Sequence, residues 1–423
     1  MRKKKVSIGI TPALAAIAVS LLLTGAHVAA QTETVLYNFD NTYGDSPQAG
    51  VIFDKAGNLY GTAISGGTLP DAAGTVFELM HTSGGSFTPV ALEDFGINAG
   101  RPYGGVIFDG AGNLYGATSY GGPAASGMVY ELTPQAGGGW AETVLYSFTG
   151  GADGGGPIGS LVFDSAGNLY GATTTGGLGS GGVVYELMPQ AGGGWTEKVL
   201  HNFSNSKDGA GLMSGVILDG SGNVYGTTFR GGIGHGSGIA YELSPQAGGE
   251  WKETILYSFG QGKYDGENPF ASLVLDAAGN LYGTTNAGGQ YVGNGTVFEL
   301  SPHAGGGWTE TILHSFALNG HDGIKPFGSL IFDSAGNLYG TTSQGGIYGS
   351  GASFIGGTVF KLTPESDGSW TEQVLHNFGN GTDGSYPMDG LIFDSSGNLY
   401  GTTYYGGTSG GYPGDGTVFE ISR

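Results

Sequence analysis

An eleven-residue segment of the type FDSAGNLYGTT occurs seven times along the 423-residue chain, and this repetition strongly limits the folds open to it. The copies are 55 to 61 residues apart. The Gly-Asn-Leu-Tyr-Gly core of the segment, with Val224 replacing Leu in the fourth copy, begins at Gly57, Gly112, Gly167, Gly222, Gly279, Gly336 and Gly397. An almost constant period of this length is typical of solenoids and propellers.

Each repeat unit is predicted to form four short β-strands. In the unit at residues 160–203 these are Leu161–Asp164, Asn168–Thr174, Val183–Leu187 and Trp195–Phe203. β-Branched and aromatic residues fill the strands, and Gly, Asn, Asp and Pro fill the turns between them. No stretch shows the 3.6-residue apolar period of a helix, so the chain is expected to be all-β.

The apolar pattern favours a propeller over a β-solenoid. Strands such as Leu330-Ile331-Phe332 are apolar on both faces, which requires each small sheet to be covered on both sides. Four-stranded sheets packed around a central axis meet this requirement, and propellers normally contain four to eight of them. Solenoid coils are usually shorter and lack the four-strand hairpin pattern.

The two ends of the chain predict how the ring closes. Residues 32–39 match a fourth strand such as Thr143–Phe148, whereas the chain ends with a third strand at Thr417–Ile421. Pairing of the two would remove an exposed edge. We therefore predict a seven-bladed β-propeller over residues 31–423, with four antiparallel strands per blade and the N-terminal strand, about residues 32–39, completing the last blade.

The N-terminal segment is predicted to be a secretory signal peptide over residues 1–30. Arg2 and three lysines precede an apolar run from Ile8 to Leu23, and Val28-Ala29-Ala30 fits a cleavage site. An uncleaved anchor is the alternative. The expected product is secreted or extracellular, with the periplasm or cell surface as variants, and has no membrane span after cleavage. The chain has no cysteine, which excludes thiol catalysis and thiolate metal sites.

Charge excludes one class of partner. The signal segment holds four of the 14 basic residues and none of the 35 acidic ones, so the remaining chain carries a net charge of −25. Nucleic acids and anionic membranes are bound by basic surfaces. We therefore expect no nucleic-acid partner.

The repeated units resemble the GloVer tandem-repeat family of exported bacterial proteins. The resemblance is carried by the pattern [FL]-D-x-x-G-N-[LV]-Y-G-[TA]-[TA], followed by Gly-Gly and then by [TV]-[VA]-[FY]-[EK]-[LI], over essentially all of residues 31–423. The D-x-x-G-N-L-Y segment is also loosely similar to NHL-type propeller repeats. The GloVer resemblance implies an extracellular location and no settled activity.

The repeated aspartates have two interpretations. Asp54, Asp164 and their counterparts precede Gly-Asn in every unit, which resembles a calcium loop but lacks its alternating ligands and bidentate Glu. We interpret them instead as acceptors within tight turns. A further series precedes Gly between units: Asp153, Asp208, Asp265, Asp322 and Asp383. We expect no cofactor, with Ca²⁺ at this second series as the alternative.

Aromatic residues and histidines also follow the repeat. All five tryptophans, from Trp140 to Trp370, occupy one repeat position, where they either stack on sugars or cover a blade edge. We favour the structural role. His201, His314 and His376 alternate with Tyr146 and Tyr257 at one position, which favours packing over metal ligation.

Comparison of the copies separates scaffold from candidate site. The second-to-third loops and the fourth-to-first connections vary most, and in a propeller both lie on one face, which we call the variable face. A mostly apolar residue precedes each innermost strand on this face, with Gln48 as the exception. The channel-mouth ring formed by these positions is Gln48, Tyr103, Ile158, Met213, Phe270, Phe327 and Met388. It is interpreted as either a ligand-binding mouth or apolar plugs between blades.

The small residues after this ring are expected to line the channel, and Asp389 is the one charged residue among their fourteen positions. Acid–base catalysis needs two positioned titrating groups, which argues against an enzyme. Five charged residues on the variable face belong to no repeat position: Arg101, Arg230, His235, His321 and Lys325. A bidentate Arg suits a carboxylate, such as that of a uronic acid.

Three functions are compatible with these features. The first is an exported, non-enzymatic propeller that binds an extracellular glycan, protein or surface polymer through its variable face. The alternatives are an extracellular polysaccharide lyase or hydrolase and a structural envelope or matrix protein. For the first, the candidate ligand-binding residues are Arg101, Tyr103, Arg230, His235, Phe270, His321, Phe327 and Asp389, with no catalytic or metal-binding residue.

Overall fold

The computed structural model describes residues 31–204, 207–291, 293–349, 356–408 and 414–422. The predicted signal peptide, residues 1–30, lies outside the described residues. Within the described ranges, no helix has the length and hydropathy required to cross a membrane.

Seven antiparallel sheets, each with four strand positions, form the blades of a β-propeller, numbered here one to seven from the blade that contains Gly57. The innermost, first strands are Ile52–Phe53, Ile107–Phe108, Gly155–Phe163, Ile217–Leu218, Val274–Leu275, Ile331–Phe332 and Ile392–Phe393. The second strands are Leu59–Ala63, Leu114–Thr118, Leu169–Thr175, Val224–Thr228, Leu281–Gly288, Leu338–Thr342 and Leu399–Thr403. The third strands are Ala72–His81, Met128–Pro134, Val183–Pro189, Ile239–Pro245, Thr296–Pro302, Thr358–Pro364 and Thr417–Ser422. The fourth, outer strands are Phe87–Gly96, Trp140–Ser147, Trp195–Asn202, Trp251–Ser258, Trp308–Ser315, Trp370–Asn377 and, for blade seven, Thr32–Asn38.

The first strand is interrupted where the chain passes the channel. In blade three it runs continuously over Gly155–Phe163, but its pairing with the second strand shifts register between Ile158 and Val162. In blade five, Gly266–Pro269 pairs separately with the second strand, and in blade six Gly323–Ile324 pairs with Gln344–Gly345. The residues in the interruption are thereby free to face the channel.

The predicted ring closure is confirmed. The N-terminal strand Thr32–Asn38 pairs antiparallel with the third strand of blade seven, with Thr32 opposite Ser422 and Val35 opposite Phe419. The strand order of this blade therefore joins both ends of the propeller in one sheet. Residues from the N-terminal strand and from blades one and seven pack in one hydrophobic cluster around Phe39 and Phe77.

The repeated turn has the predicted structure in every blade. In blade three, Asp164 Oδ1 accepts the backbone N–H groups of Ala166 at 2.8 Å and Asn168 at 2.9 Å. Its Oδ2 accepts the Asn168 side-chain amide at 2.8 Å, and Gly167 adopts the left-handed conformation with φ of 87°. Partial burial raises the pKa of the equivalent Asp333. Hydrogen bonds from Asn337 and its neighbours outweigh the effect of burial and lower this pKa to about 2.

Tryptophans cover the boundaries between blades. Trp140 and Trp195 each lie edge-on to a tyrosine of the preceding blade, Tyr60 at 6.3 Å and Tyr115 at 6.5 Å between ring centroids. The other three also pack against the hydrophobic cluster shared with the preceding blade. The structural interpretation of the tryptophans is therefore confirmed.

Candidate functional site

A cavity of about 340 Å³ lies at the central channel, and the innermost segments of the blades converge on it. All seven members of the channel-mouth ring line it, together with small residues that follow them in sequence. The structure thus brings Tyr103, Phe270, Phe327 and Asp389 together. The volume of the cavity is at the lower end of the range for small-molecule binding sites.

Asp389 is the one carboxylate among the described residues that line the cavity. Its Oδ2 accepts the backbone N–H of Gly50 at 2.7 Å, and its Oδ1 accepts the N–H of Gly390 at 2.7 Å. Burial raises the pKa of Asp389, and the two backbone donors partly oppose that rise. Because Gly50 belongs to blade one and Asp389 to blade seven, this carboxylate links the two blades at the closure of the ring.

A second ring of variable residues surrounds the mouth in an unusual backbone conformation. Two positions before each channel-mouth residue, the chain adopts a left-handed conformation with φ between 57° and 68°. This left-handed ring comprises Ser46, Arg101, Gly156, Gly211, Asn268, Lys325 and Tyr386. A residue with a Cβ atom in this conformation costs roughly 1 kcal/mol or more, yet five of the seven are not glycine.

Hydrogen bonds between blades impose this conformation. The backbone N–H of each residue in the left-handed ring donates to a carbonyl of the preceding blade, for example from Arg101 to Ala73 at 2.8 Å and from Lys325 to Asn294 at 2.8 Å. In several blades its own carbonyl also accepts the N–H of the residue after the second strand, as between Ser119 and Arg101. The backbone of the ring is therefore fixed, while its side chains differ from blade to blade.

The predicted charged residues are spread over the variable face and are not gathered at the cavity. Arg101, Arg230, His235 and His321 are exposed, and none of them lines the cavity. The Arg230 guanidinium lies 5.7 Å above the ring of Phe229. Lys325 is half-buried in the left-handed ring, and burial lowers its pKa.

Four residues of the variable face were not among the sequence-predicted candidates: Phe229, Asn286, Tyr386 and Tyr404. Phe229, Asn286 and Tyr404 occupy one repeat position, directly after the paired Thr residues of the second strand and before the Gly-Gly pair. The signal was present in the sequence, because this position varies freely between two nearly constant flanks. The same holds for the left-handed position, where Tyr386 precedes Pro387.

The second aspartate series lies at the blade junctions, where at least one carboxylate oxygen of each residue accepts a hydrogen bond from the protein, whereas Oδ1 of Asp265 and Oδ1 of Asp322 have no partner among the described residues. Asp153 Oδ2 accepts the Tyr146 hydroxyl at 3.1 Å and the Thr149 N–H at 2.8 Å, and Asp383 Oδ2 lies 3.2 Å from His376 Nε2. In the described ranges, no group of three or more His, Cys, Asp or Glu side chains has a geometry suited to a metal ion.

Comparison with known protein families identifies a repeat family over most of the chain. The model of a family described as the Gloeobacter/Verrucomicrobia repeat matches residues 23–177 and 159–419. No curated protein is detectably similar in sequence.

Two solved structures share the fold at low sequence identity. One is an ancestral GH74 enzyme, with 12% identity over 89% of this chain and 48% of that chain, and a TM-score of 0.56. The other is PorZ, a bacterial surface component of the type-IX secretion system of Porphyromonas gingivalis, with 14% identity over 92% of this chain and 48% of that chain, and a TM-score of 0.52. The chain spans about half the length of either protein, and at these identities the similarity shows the fold alone.

Proposed function

The chain belongs to the Gloeobacter/Verrucomicrobia repeat family, and we propose that it is an exported, non-enzymatic β-propeller that binds an extracellular glycan, protein or surface polymer through its variable face. Export is supported by the basic and apolar N-terminal segment. The observation that carries the binding role is the distribution of exposed hydrophobic side chains.

Exposed large hydrophobic residues concentrate on the variable face. Of the thirteen among the described residues, ten lie in second-to-third loops or fourth-to-first connections, and three lie on third or fourth strands. Leu178 is 82% exposed and Ile233 is 51% exposed. In the described residues, the turns of the opposite face contribute none. Because the exposed apolar side chains favour one face of the propeller, we infer that this face is the interaction surface.

The backbone of the left-handed ring gives further support. Five positions retain a side chain where glycine would relieve strain. Side chains of several types, from Arg101 to Tyr386, occupy equivalent places on one backbone scaffold. Strained residues on a rigid scaffold cluster at ligand-binding sites.

The cavity offers little support for a lyase or hydrolase. General acid–base chemistry uses two titrating groups with different protonation states. Both oxygens of Asp389 accept backbone N–H groups, and no second carboxylate lines the cavity among the described residues. Binding without chemistry is therefore the function that we propose.

Retention of the purified protein on insoluble material tests this proposal. Cell-wall sacculi, washed cell envelopes and insoluble polysaccharides are mixed with the protein, and its depletion from solution is measured. We expect the double variant Leu178→Ser, Ile233→Ser to lose retention severalfold, because both side chains are exposed on the variable face.

The matched control replaces two exposed hydrophobic residues on fourth strands, Val144→Ser and Ile255→Ser, which are 46% and 39% exposed. This control should be retained like the unmodified protein. Equal retention of both double variants, or no retention of the unmodified protein on any material, would overturn the proposed function.

A further inference from the structure

Five aromatic side chains form a continuous arc around one side of the cavity. Phe229, Phe270, Phe327, Tyr386 and Tyr404 make up this aromatic arc, which runs from blade four to blade seven. Successive ring centroids are 6.2, 4.7, 6.5 and 6.4 Å apart. All five side chains are half-buried, so each retains surface for a ligand. Phe270 and Phe327 line the cavity itself.

The arc combines three independent positions of the repeat. Phe270 and Phe327 belong to the channel-mouth ring, and Tyr386 belongs to the left-handed ring. Phe229 and Tyr404 follow the second strands of their blades. Because three different repeat positions contribute to it, the arc is not a consequence of the repeat itself. The aromatic contacts arise from residues that differ from the other copies.

The opposite side of the mouth is more polar. In blades one to three the same three positions hold Gln48, Ser119 and Thr174, as well as Gly156, which has no side chain. The ring of Tyr103 is the one aromatic group that these nine positions contribute. A ligand is therefore expected to lie against the aromatic side of the mouth.

Two buried polar groups have no partner within the described part of the protein, one at the cavity and one on the variable face. Ser214 lines the cavity, is 8% exposed, and its Oγ makes no hydrogen bond. The Asn286 side-chain amide nitrogen is also buried without an acceptor, at the repeat position of Phe229 and Tyr404. A buried polar group without a partner costs about 1–3 kcal/mol, and a ligand that hydrogen-bonds to it removes that cost.

We propose that the aromatic arc and the cavity bind an uncharged oligosaccharide, with a sugar ring against Phe270 and Phe327 and with Ser214 as a hydrogen-bonding partner. Pyranose rings have apolar C–H faces that pack on aromatic rings, and hydroxyl groups that satisfy unpartnered amides and hydroxyls. The net charge of −25 and the carboxylate of Asp389 disfavour a polyanionic chain. This inference rests on the proposed binding function and specifies the ligand class and the site.

Isothermal titration with defined oligosaccharides tests the ligand class. The probes are hexasaccharides of β-1,4-glucan, β-1,3-glucan, xylan and mannan, with an oligogalacturonate as the charged comparison. We expect at least one uncharged probe to bind and the oligogalacturonate to bind more weakly or not at all.

Two aromatic variants and a matched control test the site. Phe270→Ala and Phe327→Ala should each weaken binding about tenfold or more, because each loses packing against a sugar ring. Tyr264→Ala and Tyr291→Ala remove tyrosines that are 49% and 48% exposed on the same face but lie outside the aromatic arc. These controls should bind within about twofold of the unmodified protein.

Ser214→Ala separates binding from folding. Since the Ser214 hydroxyl has no partner in the protein, its removal should leave the melting temperature unchanged or raise it. We expect the same variant to bind the oligosaccharide several-fold more weakly. A purely structural role for this residue would show no loss of affinity.

The outcomes distinguish this inference from the proposed function. No binding of any uncharged probe by folded protein would overturn the sugar assignment, and retention on insoluble material would still support the binding function. Sugar binding that is unchanged in Phe270→Ala, Phe327→Ala and Ser214→Ala would overturn the site. Preferential binding of oligogalacturonate would overturn the ligand class. So would binding of a protein ligand that the same substitutions abolish.

Discussion

The hydroxyl of Tyr257, on the outer strand of blade four, lies 3.1 Å from Oε2 of Glu310, on the outer strand of blade five. The same hydroxyl lies 3.1 Å from Oδ2 of Asp265 in the connection between these blades. Burial, and then the charge of Asp265, raise the pKa of Glu310 to about 8. Glutamates at the equivalent position of four other blades have pKa values raised to about 7, mainly by burial: Glu33, Glu197, Glu253 and Glu372.

Because the pKa values of Glu310 and its equivalents are raised, we predict that the protein loses stability as the pH rises from about 4.5 to 8. In the unfolded chain these carboxyls release their protons near pH 4.5, whereas in the folded protein they keep them to about pH 7 or 8. Their contribution to stability is therefore fully present below pH 4.5 and is lost as the pH rises through the folded pKa values. Calorimetric melting temperatures between pH 4 and 9, at constant ionic strength, should fall across this range.

A single variant tests whether Glu310 contributes to this slope. Glu310→Gln cannot release a proton, so its melting temperature should fall less steeply with pH than that of the unmodified protein. Glu250→Gln, at an exposed position, is the control and should keep the original slope. Identical slopes for Glu310→Gln and the unmodified protein would contradict the assignment.

Removal of the N-terminal strand should prevent cooperative folding. A chain that begins at Asp40 lacks Thr32–Asn38, so the edge of Thr417–Ser422 becomes exposed beside the buried side chains of Val418 and Phe419. We expect this chain to aggregate or to melt well below a chain that begins at Gln31. Size-exclusion chromatography and thermal melting check this. Equal melting temperatures would show that the closing strand is dispensable.

The fold could be predicted from the sequence because the turns and strands of each repeat are determined by residues close together in the chain. The Asp–Asn–Gly turn is satisfied by hydrogen bonds within six residues, as between Asp164 and Asn168, so it requires no knowledge of the rest of the chain. Closure was also predictable, because residues 32–39 copy the pattern of an outer strand and the last blade lacks an outer strand of its own.

The site was only partly predictable, because its conformation depends on contacts between blades. A residue before proline normally avoids helical backbone angles and favours extended ones, yet Arg101 and Tyr386 are left-handed. Their backbone N–H groups donate to the preceding blade, and such bonds are not visible in a single repeat. The aromatic arc likewise joins repeat positions that align with one another only in three dimensions.

Asp389→Ala should destabilise the ring at its closure. The substitution removes the acceptor for the backbone N–H groups of Gly50 and Gly390, which are 2.7 Å from the two carboxylate oxygens. Loss of these bonds should lower the free energy of unfolding by about 2 kcal/mol. Asp389→Asn keeps one carbonyl acceptor and should give an intermediate loss. Urea denaturation measures both, and an unchanged midpoint for Asp389→Ala would contradict a role in closure.

Removal of the hydroxyl from two tyrosines of blade three should change the free energy of unfolding in opposite directions. The Tyr185 side chain is fully buried and its hydroxyl has no partner, and the equivalent residue is phenylalanine in four other blades, as at Phe77. Tyr185→Phe should therefore raise the free energy of unfolding by about 1 kcal/mol, since it removes an unsatisfied polar group. The Tyr170 hydroxyl, in contrast, lies 3.0 Å from Glu186 Oε1 and 3.3 Å from Asp164 Oδ2. Tyr170→Phe should lower the free energy of unfolding by about 1 kcal/mol. Urea denaturation measures both substitutions. Equal effects would show that the contribution of the hydroxyl does not depend on whether it has a hydrogen-bond partner.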